Sequence, residues 1–118
     1  MANQKIHVNI RGTSSLIMHK FPMEPIEALE KKTAAEQAEI AAYRTPDGKL
    51  YIPGVNLLRC LVAAAAYSKG KGRASLQKVA AACLSIDPEY LVLTPQQYIV
   101  DSRSVVIPAT RGRVVRHR

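Results

Sequence analysis

Lys69, Lys71 and Arg73 alternate with Gly70 and Gly72 in the run KGKGR. Glycine between cations keeps a loop adaptable and exposes backbone N–H groups beside the charges, as a segment tracking phosphates requires. A solvated surface loop has the same composition, and the run alone does not separate the two. A second concentration of charge lies at Arg103, Arg111, Arg113, Arg116 and Arg118, with no acid after Asp101. The run RGRVVRHR alternates incompletely, yet it allows Arg111, Arg113 and Arg116 to form one cationic stripe. Tyr67, Tyr98 and His117 could then add base stacking. The alternative for this end is a basic tail without fixed structure.

The third arrangement is KLYIPGVNLLRCLVAAAAYS, residues 49–68. It reads as a strand, a sharp turn at Pro53-Gly54 and a small-residue helix. Gly54 permits close backbone approach or positive φ, and Asn56 is a good helix N-cap. The helix start would leave unpaired N–H groups that favour an anion; equally, the turn could do no more than reverse the chain. Arg59 places a charge on the same helix, and Ala63–Ala66 lets another element pack closely.

Catalysis has little support. His7, His19 and His117 lack metal-ligand spacing, and neither a GxSxG elbow nor a P-loop is present. A histidine with a Tyr or Lys can cleave RNA by general acid–base chemistry without metal. His19, beside Lys20 and after Ser14-Ser15, is the candidate for that role. The expectation is a protein without catalytic residues, bound metal or cofactor.

The elements that must position these groups fit in 118 residues, one ordinary domain, and a 47% hydrophobic composition is enough for a core. With no Trp and one Phe, that core must be aliphatic. The formal charge of +8 is uneven: residues 1–58 carry seven basic and six acidic side chains, residues 59–118 ten and three. Such asymmetry points to a polyanion, nucleic acid above all, with solubility or an acidic protein partner as the alternatives. Cys60 and Cys83 lie in alanine-rich helical surroundings outside any CxxC, and read as buried small hydrophobes in a reducing compartment. MANQKIHVNIRG lacks the apolar core of a signal peptide, and the apolar run around residues 60–67 is too short to span a membrane. The expected location is the cytoplasm.

Along the chain, Lys5–Gly12 alternates, with Ile6, Val8 and Ile10 facing one way and His7, Asn9 and Arg11 the other. This is the pattern of a half-buried strand. Pro25–Arg44 reads as one helix with a thin apolar stripe, suited to an exposed or partner-stabilised position. Thr45–Gly48, TPDG, is a turn. Lys49–Pro53 is a short strand, Asn56–Ser68 a helix, and Ala74–Ser85 a second alanine-rich helix that Ser75 could cap. Glu89–Thr94, Gln97–Ser102, SVVIPA and RGRVVRHR are strand candidates, the last two flanking a hairpin turn at Thr110–Gly112. The pattern is α+β, an antiparallel sheet with helices against one face and a basic C-terminal hairpin.

TPDGKLYIPGVNLLRCLVAAA resembles the segment D-x-x-G-x-P-Y-I-P-G-S-S-L-K-G-A-L-R of the RAMP superfamily, which includes the RNA-binding backbone subunits of CRISPR effector complexes. Asp47, Gly48, Tyr51, Ile52, Pro53, Gly54, Leu57 and Leu61 match. KIHVNIRGTSSLIMHKF sits where that family places its first ferredoxin-like strand. The resemblance implies a ferredoxin-like (RRM-like) fold, a turn and helix start lying against guide RNA, copies stacked along the strand and a role in antiviral defence. Departures accompany the match: Val55 and Asn56 stand at the paired serines, Leu58 at the lysine and Arg59 at the following glycine. The charge therefore moves about 100° around the helix. The family's glycine-rich C-terminal loop has no counterpart, so residues 1–118 read as one reduced domain, a fragment or half of a split fold.

The expectation is a non-catalytic domain that binds RNA or single-stranded nucleic acid, as a homo-oligomer or ribonucleoprotein subunit and without a membrane. Arg59, Lys69, Lys71, Arg73, Arg103, Arg111, Arg113 and Arg116 would contact phosphates, with Gly54 and Asn56 shaping the turn. The alternatives are a self-assembling structural or scaffold protein of a phage or mobile element, and a metal-independent ribonuclease.

Overall fold

The structure is a computed structural model that describes residues 3–72, 74–106 and 113–118. The helices among them are α1 (Ile26–Glu30), α2 (Ala34–Ala41), α3 (Gly54–Ala64), continued by a 3-10 turn at Ala65–Tyr67, and α4 (Gln77–Cys83). The strands are β1 (Tyr51–Pro53), β2 (Tyr90–Val92), β3 (Ser102–Val106) and β4 (Arg113–His117). β1 pairs antiparallel with β2, and β3 with β4, in two separate two-stranded sheets. The result is a small α+β domain with two short ladders where one larger sheet was expected.

The helix anticipated across Pro25–Arg44 is broken in two. Thr33 caps α2: its hydroxyl accepts the Glu36 N–H at 3.3 Å, while the Glu36 carboxylate accepts the Thr33 N–H at 2.8 Å. This reciprocal box satisfies helix-start donors that a continuous helix would bond internally, so the sequence TAAE starts a new helix. α2 turns Ala38 and Ala41 inward, where they join Leu29, Ala42 and Leu50 as the buried apolar residues.

After α2 the chain reverses through Thr45–Gly48. The Gly48 N–H donates to the Thr45 carbonyl at 2.9 Å, and φ of +87° at Gly48 is a conformation glycine adopts without steric cost. An Arg44–Leu50 bridge leads into β1, whose register with β2 is Tyr51–Val92, Ile52–Leu91 and Pro53–Tyr90. Tyr51 stands edge-on to Tyr43 and Tyr90, with ring centroids 5.7 and 4.7 Å apart. Beyond β2, the Gln96 carboxamide accepts the Leu50 N–H at 2.7 Å and donates to the Leu93 carbonyl at 2.6 Å, extending the ladder with a side chain.

Several expectations are corrected. Lys5–Gly12 forms no strand: alternation sorts side chains onto two faces, but a strand also needs a neighbour to bond, and residues 3–19 make no backbone hydrogen bond to other described residues. Of Gln97–Ser102, only Ser102 belongs to a strand. Asn56 is the third residue of α3 and not its cap, because the chain becomes helical directly after Pro53, which takes the cap position itself with φ −59° and an extended ψ of 131°. Cys60 and Cys83 are exposed, since no other element covers their sides of α3 and α4 among the described residues. The hairpin turn expected at Thr110–Gly112 falls outside the described residues.

Among the described residues, the apolar side chains therefore do not assemble one core. Accessible surface is 10132 Å², against roughly 6,300 Å² for a typical folded monomer of this mass. The radius of gyration is 18.0 Å, against about 13.5 Å for a compact domain of this length. No large side chain is fully buried among the described residues.

Candidate nucleic-acid interface

The Pro53-Gly54 turn is set by backbone contact. Gly54 is buried and its N–H donates to the Glu89 carbonyl at 2.8 Å. A β-carbon there would stand 2.9 Å from the Pro88 carbonyl oxygen and 3.3 Å from that of Glu89. The glycine thus admits the segment before β2 against the start of α3, and this first amide of the helix is bonded to protein. Asn56 and Arg59 lie further along α3 with exposed side chains.

The basic loop leaves α3 through its 3-10 turn and returns to α4. Two antiparallel bonds close its base: Leu76 N–H to the Ser68 carbonyl and Gly70 N–H to the Ala74 carbonyl, each 2.9 Å. Lys69 bridges Ser75, and φ of +74° at Gly72 turns the tip. The Ser75 hydroxyl accepts the Gln77 N–H at 3.4 Å, a weak bond just ahead of α4. Lys69 and Lys71 are exposed, and Tyr67, at the end of the 3-10 turn, is 93% exposed. An uncovered phenol ring and two ammonium groups are thus held on five successive residues. Arg73 lies outside the described residues.

The hairpin divides its arginines between two faces. In the β3–β4 register Arg103 lies opposite Arg116, and Arg113 opposite Val106. Alternation puts Arg103 and Arg116 on one face and Arg113 on the other, because Arg113 and Arg116 are an odd number of residues apart. The single stripe expected of Arg113 and Arg116 does not form; Arg111 lies outside the described residues. The Asp101 carboxylate sits 2.7 Å from the Arg103 guanidinium, offsetting part of the Arg103–Arg116 repulsion. On the Arg113 face, Ser102 Oγ and His117 Nδ1 are hydrogen-bonded at 2.6 Å.

His19 meets this hairpin from the N-terminal segment. His19 and His117 line the same small cavity, about 20 Å³, together with Lys20 and Gln37. Burial, followed by the positive charges of Arg118 and Arg116, holds the His19 imidazole below its ordinary pKa of 6.5. A wider cleft of about 370 Å³ runs beside it between Phe21, Met23 and Arg44.

Sequence reasoning missed the anchoring of Tyr98. Its hydroxyl donates to Glu39 at 2.7 Å, and the same carboxylate accepts two bonds from the Arg44 guanidinium. The Arg44 bonds, then that of Tyr98, hold the Glu39 carboxyl below its ordinary range, and the Glu39 bond pushes the Tyr98 hydroxyl up. Glu39 and Tyr98 are too far apart in sequence for any local pattern to join them.

Compared with family models, curated proteins and solved structures, the chain matches none. Among the described residues no helix is long and apolar enough to cross a membrane, and no group of three or more His, Cys, Asp or Glu side chains is placed to hold a metal ion.

Proposed function

We propose that this chain is a non-catalytic subunit that binds RNA or single-stranded nucleic acid and oligomerises along it. We also propose that its two ladders belong to a ferredoxin-like, RRM-like arrangement of the RAMP type. The observation that carries the binding reading is the exposed Tyr67 ring beside the exposed Lys69 and Lys71 on a loop closed at its base. A base stacks on the ring while the cations meet the flanking phosphates, a combination that tolerates any sequence. The positive balance of residues 59–118 and the Arg103–Arg116 face add long-range attraction.

The test is binding of a fluorescent single-stranded RNA as salt is varied. Replacing Lys69, Lys71 and Arg73 with Ala weakens binding on all sequences and reduces the salt slope by about two to three. Tyr67→Ala weakens binding by roughly 1–3 kcal/mol with little change in slope. Unaltered affinity in both variants removes the loop from the interface.

One observation favours a second reading, a metal-independent ribonuclease: His19 and His117 line one cavity with Lys20. The His19 imidazole, held below its ordinary pKa by burial and then by Arg118 and Arg116, would take the proton from a ribose 2′-hydroxyl as its oxygen attacks phosphorus. The second histidine would then protonate the departing 5′-oxygen, leaving a 2′,3′-cyclic phosphate. Cleavage that persists in both His19→Ala and His117→Ala eliminates this reading.

A further inference from the structure

Residues 3–19 make no hydrogen bond, backbone or side chain, to other described residues. Within them, Ile6, Val8 and Ile10 are 83%, 70% and 70% exposed. Lys5, His7, Asn9 and Arg11 occupy the intervening positions, and Gly12 ends the run. Three branched apolar side chains at a spacing of two, on a backbone whose ladder positions are open among the described residues and with no proline, have the composition of a strand lacking its sheet.

An edge suited to it is present in the same chain. β2 is bonded to β1 on one side and, among the described residues, to no strand on the other. Its Tyr90 and Val92 are 39% and 51% exposed. Asp87 and Glu89, two of the three acids in residues 59–118, immediately precede it. The unpaired segment carries its cations near its two ends, at Lys5 and Arg11, so an incoming strand can set one of them beside those carboxylates. The edges of β3 and β4 carry Arg103, Arg113 and Arg116 and repel the same strand.

We propose that residues 5–12 of one copy add as a third strand to the outer edge of β2 in a second copy. Donor and acceptor are different surfaces, so the contact is head-to-tail, and each added copy brings a new donor and a new edge. The surface excess of about 3,800 Å² over a compact monomer exceeds the 1,600 Å² or so that a standard interface buries from both partners together. Occupation by a second copy accounts for both unsatisfied halves with one partner, whose charges match. The inference deepens the oligomer part of the proposed function and needs no nucleic acid.

The experiment is sedimentation of the full chain, treated with nuclease, over a concentration series. Wild type grows in mass with concentration. Val8→Pro, which removes a ladder N–H from a segment without internal hydrogen bonds, sediments as a monomer with an unchanged circular dichroism spectrum. A synthetic peptide of residues 3–13 binds the Val8→Pro chain and shortens wild-type assemblies. Asp87→Lys with Glu89→Lys weakens assembly, and adding Lys5→Glu with Arg11→Glu restores it. A wild type that stays monomeric throughout, or a Val8→Pro chain that assembles like wild type, overturns the proposal. Because nucleic acid is absent, these outcomes are independent of whether the Lys69–Lys71 loop binds RNA.

Discussion

The Gly54 amide and the Glu89 carbonyl are bonded across 2.8 Å, joining the start of α3 to the entrance of β2. The atom that crowds Gly54 most closely is the Pro88 carbonyl oxygen, 2.9 Å from where a β-carbon would stand, and a main-chain oxygen cannot rotate aside as a side chain can. Gly54→Ala should therefore destabilise the fold by about 1–3 kcal/mol, an overpacking cost. A denaturation midpoint equal to wild type would show that the Pro88–Glu89 segment moves away freely.

Gln96 provides a second such closure. Its side chain accepts the N–H of Leu50, a residue only 3% exposed, and bonds the Leu93 carbonyl. Gln96→Ala leaves that amide unsatisfied in a buried position and should cost about 1–3 kcal/mol. Hydrogen exchange at the Leu50 amide, faster in the variant than in wild type, is the direct measurement.

The α2 cap predicts both a mutational and a pH effect. Thr33→Ala should cost about 0.5–2 kcal/mol. The Thr33 N–H, then its hydroxyl, holds the Glu36 carboxyl below its ordinary value of 4.5. A lowered carboxylate value means that the contribution is fully present above the unfolded-state value and is lost as pH falls through the folded one. Helicity lost on acidification should thus be smaller in Thr33→Ala than in wild type, as circular dichroism against pH would record.

His19 behaves with the same sense for a different reason. Burial and the charges of Arg118 and Arg116 disfavour its imidazolium, so the folded state prefers it neutral. That preference is fully present above 6.5 and is lost as pH falls through the lower folded value. Proton NMR of the imidazole should give a value below 6.5 that rises in Arg118→Gln. A polyphosphate that neutralises Arg116 and Arg118 should raise it as well.

Much of the local structure was legible in the residues. TPDG gave its turn, YIPG its strand-to-helix junction, and the spacing of Lys69 and Lys71 their loop. What escaped depended on partners. The alternation of Ile6, Val8 and Ile10 states which side chains share a face but not which edge receives them. Burial of Cys60 and Cys83 would require a covering element over α3 and α4, and both are exposed. Thr33 and Glu36 carried a readable signal, outweighed by the run of helix formers around them. The separation of Arg113 from Arg116 follows from parity once a strand is unbulged, whereas the Tyr98–Glu39 bond needed the fold itself.

The facing of Arg103 and Arg116 across the hairpin has an effect on handling. Ions that screen this repulsion firm the β3–β4 ladder, while the same ions compete with any polyanion for the guanidinium groups. Purification favours a concentrated buffer and ligand binding a dilute one. A hairpin whose melting temperature rises with added chloride while retention on a heparin column falls would display both halves of that conflict in one molecule.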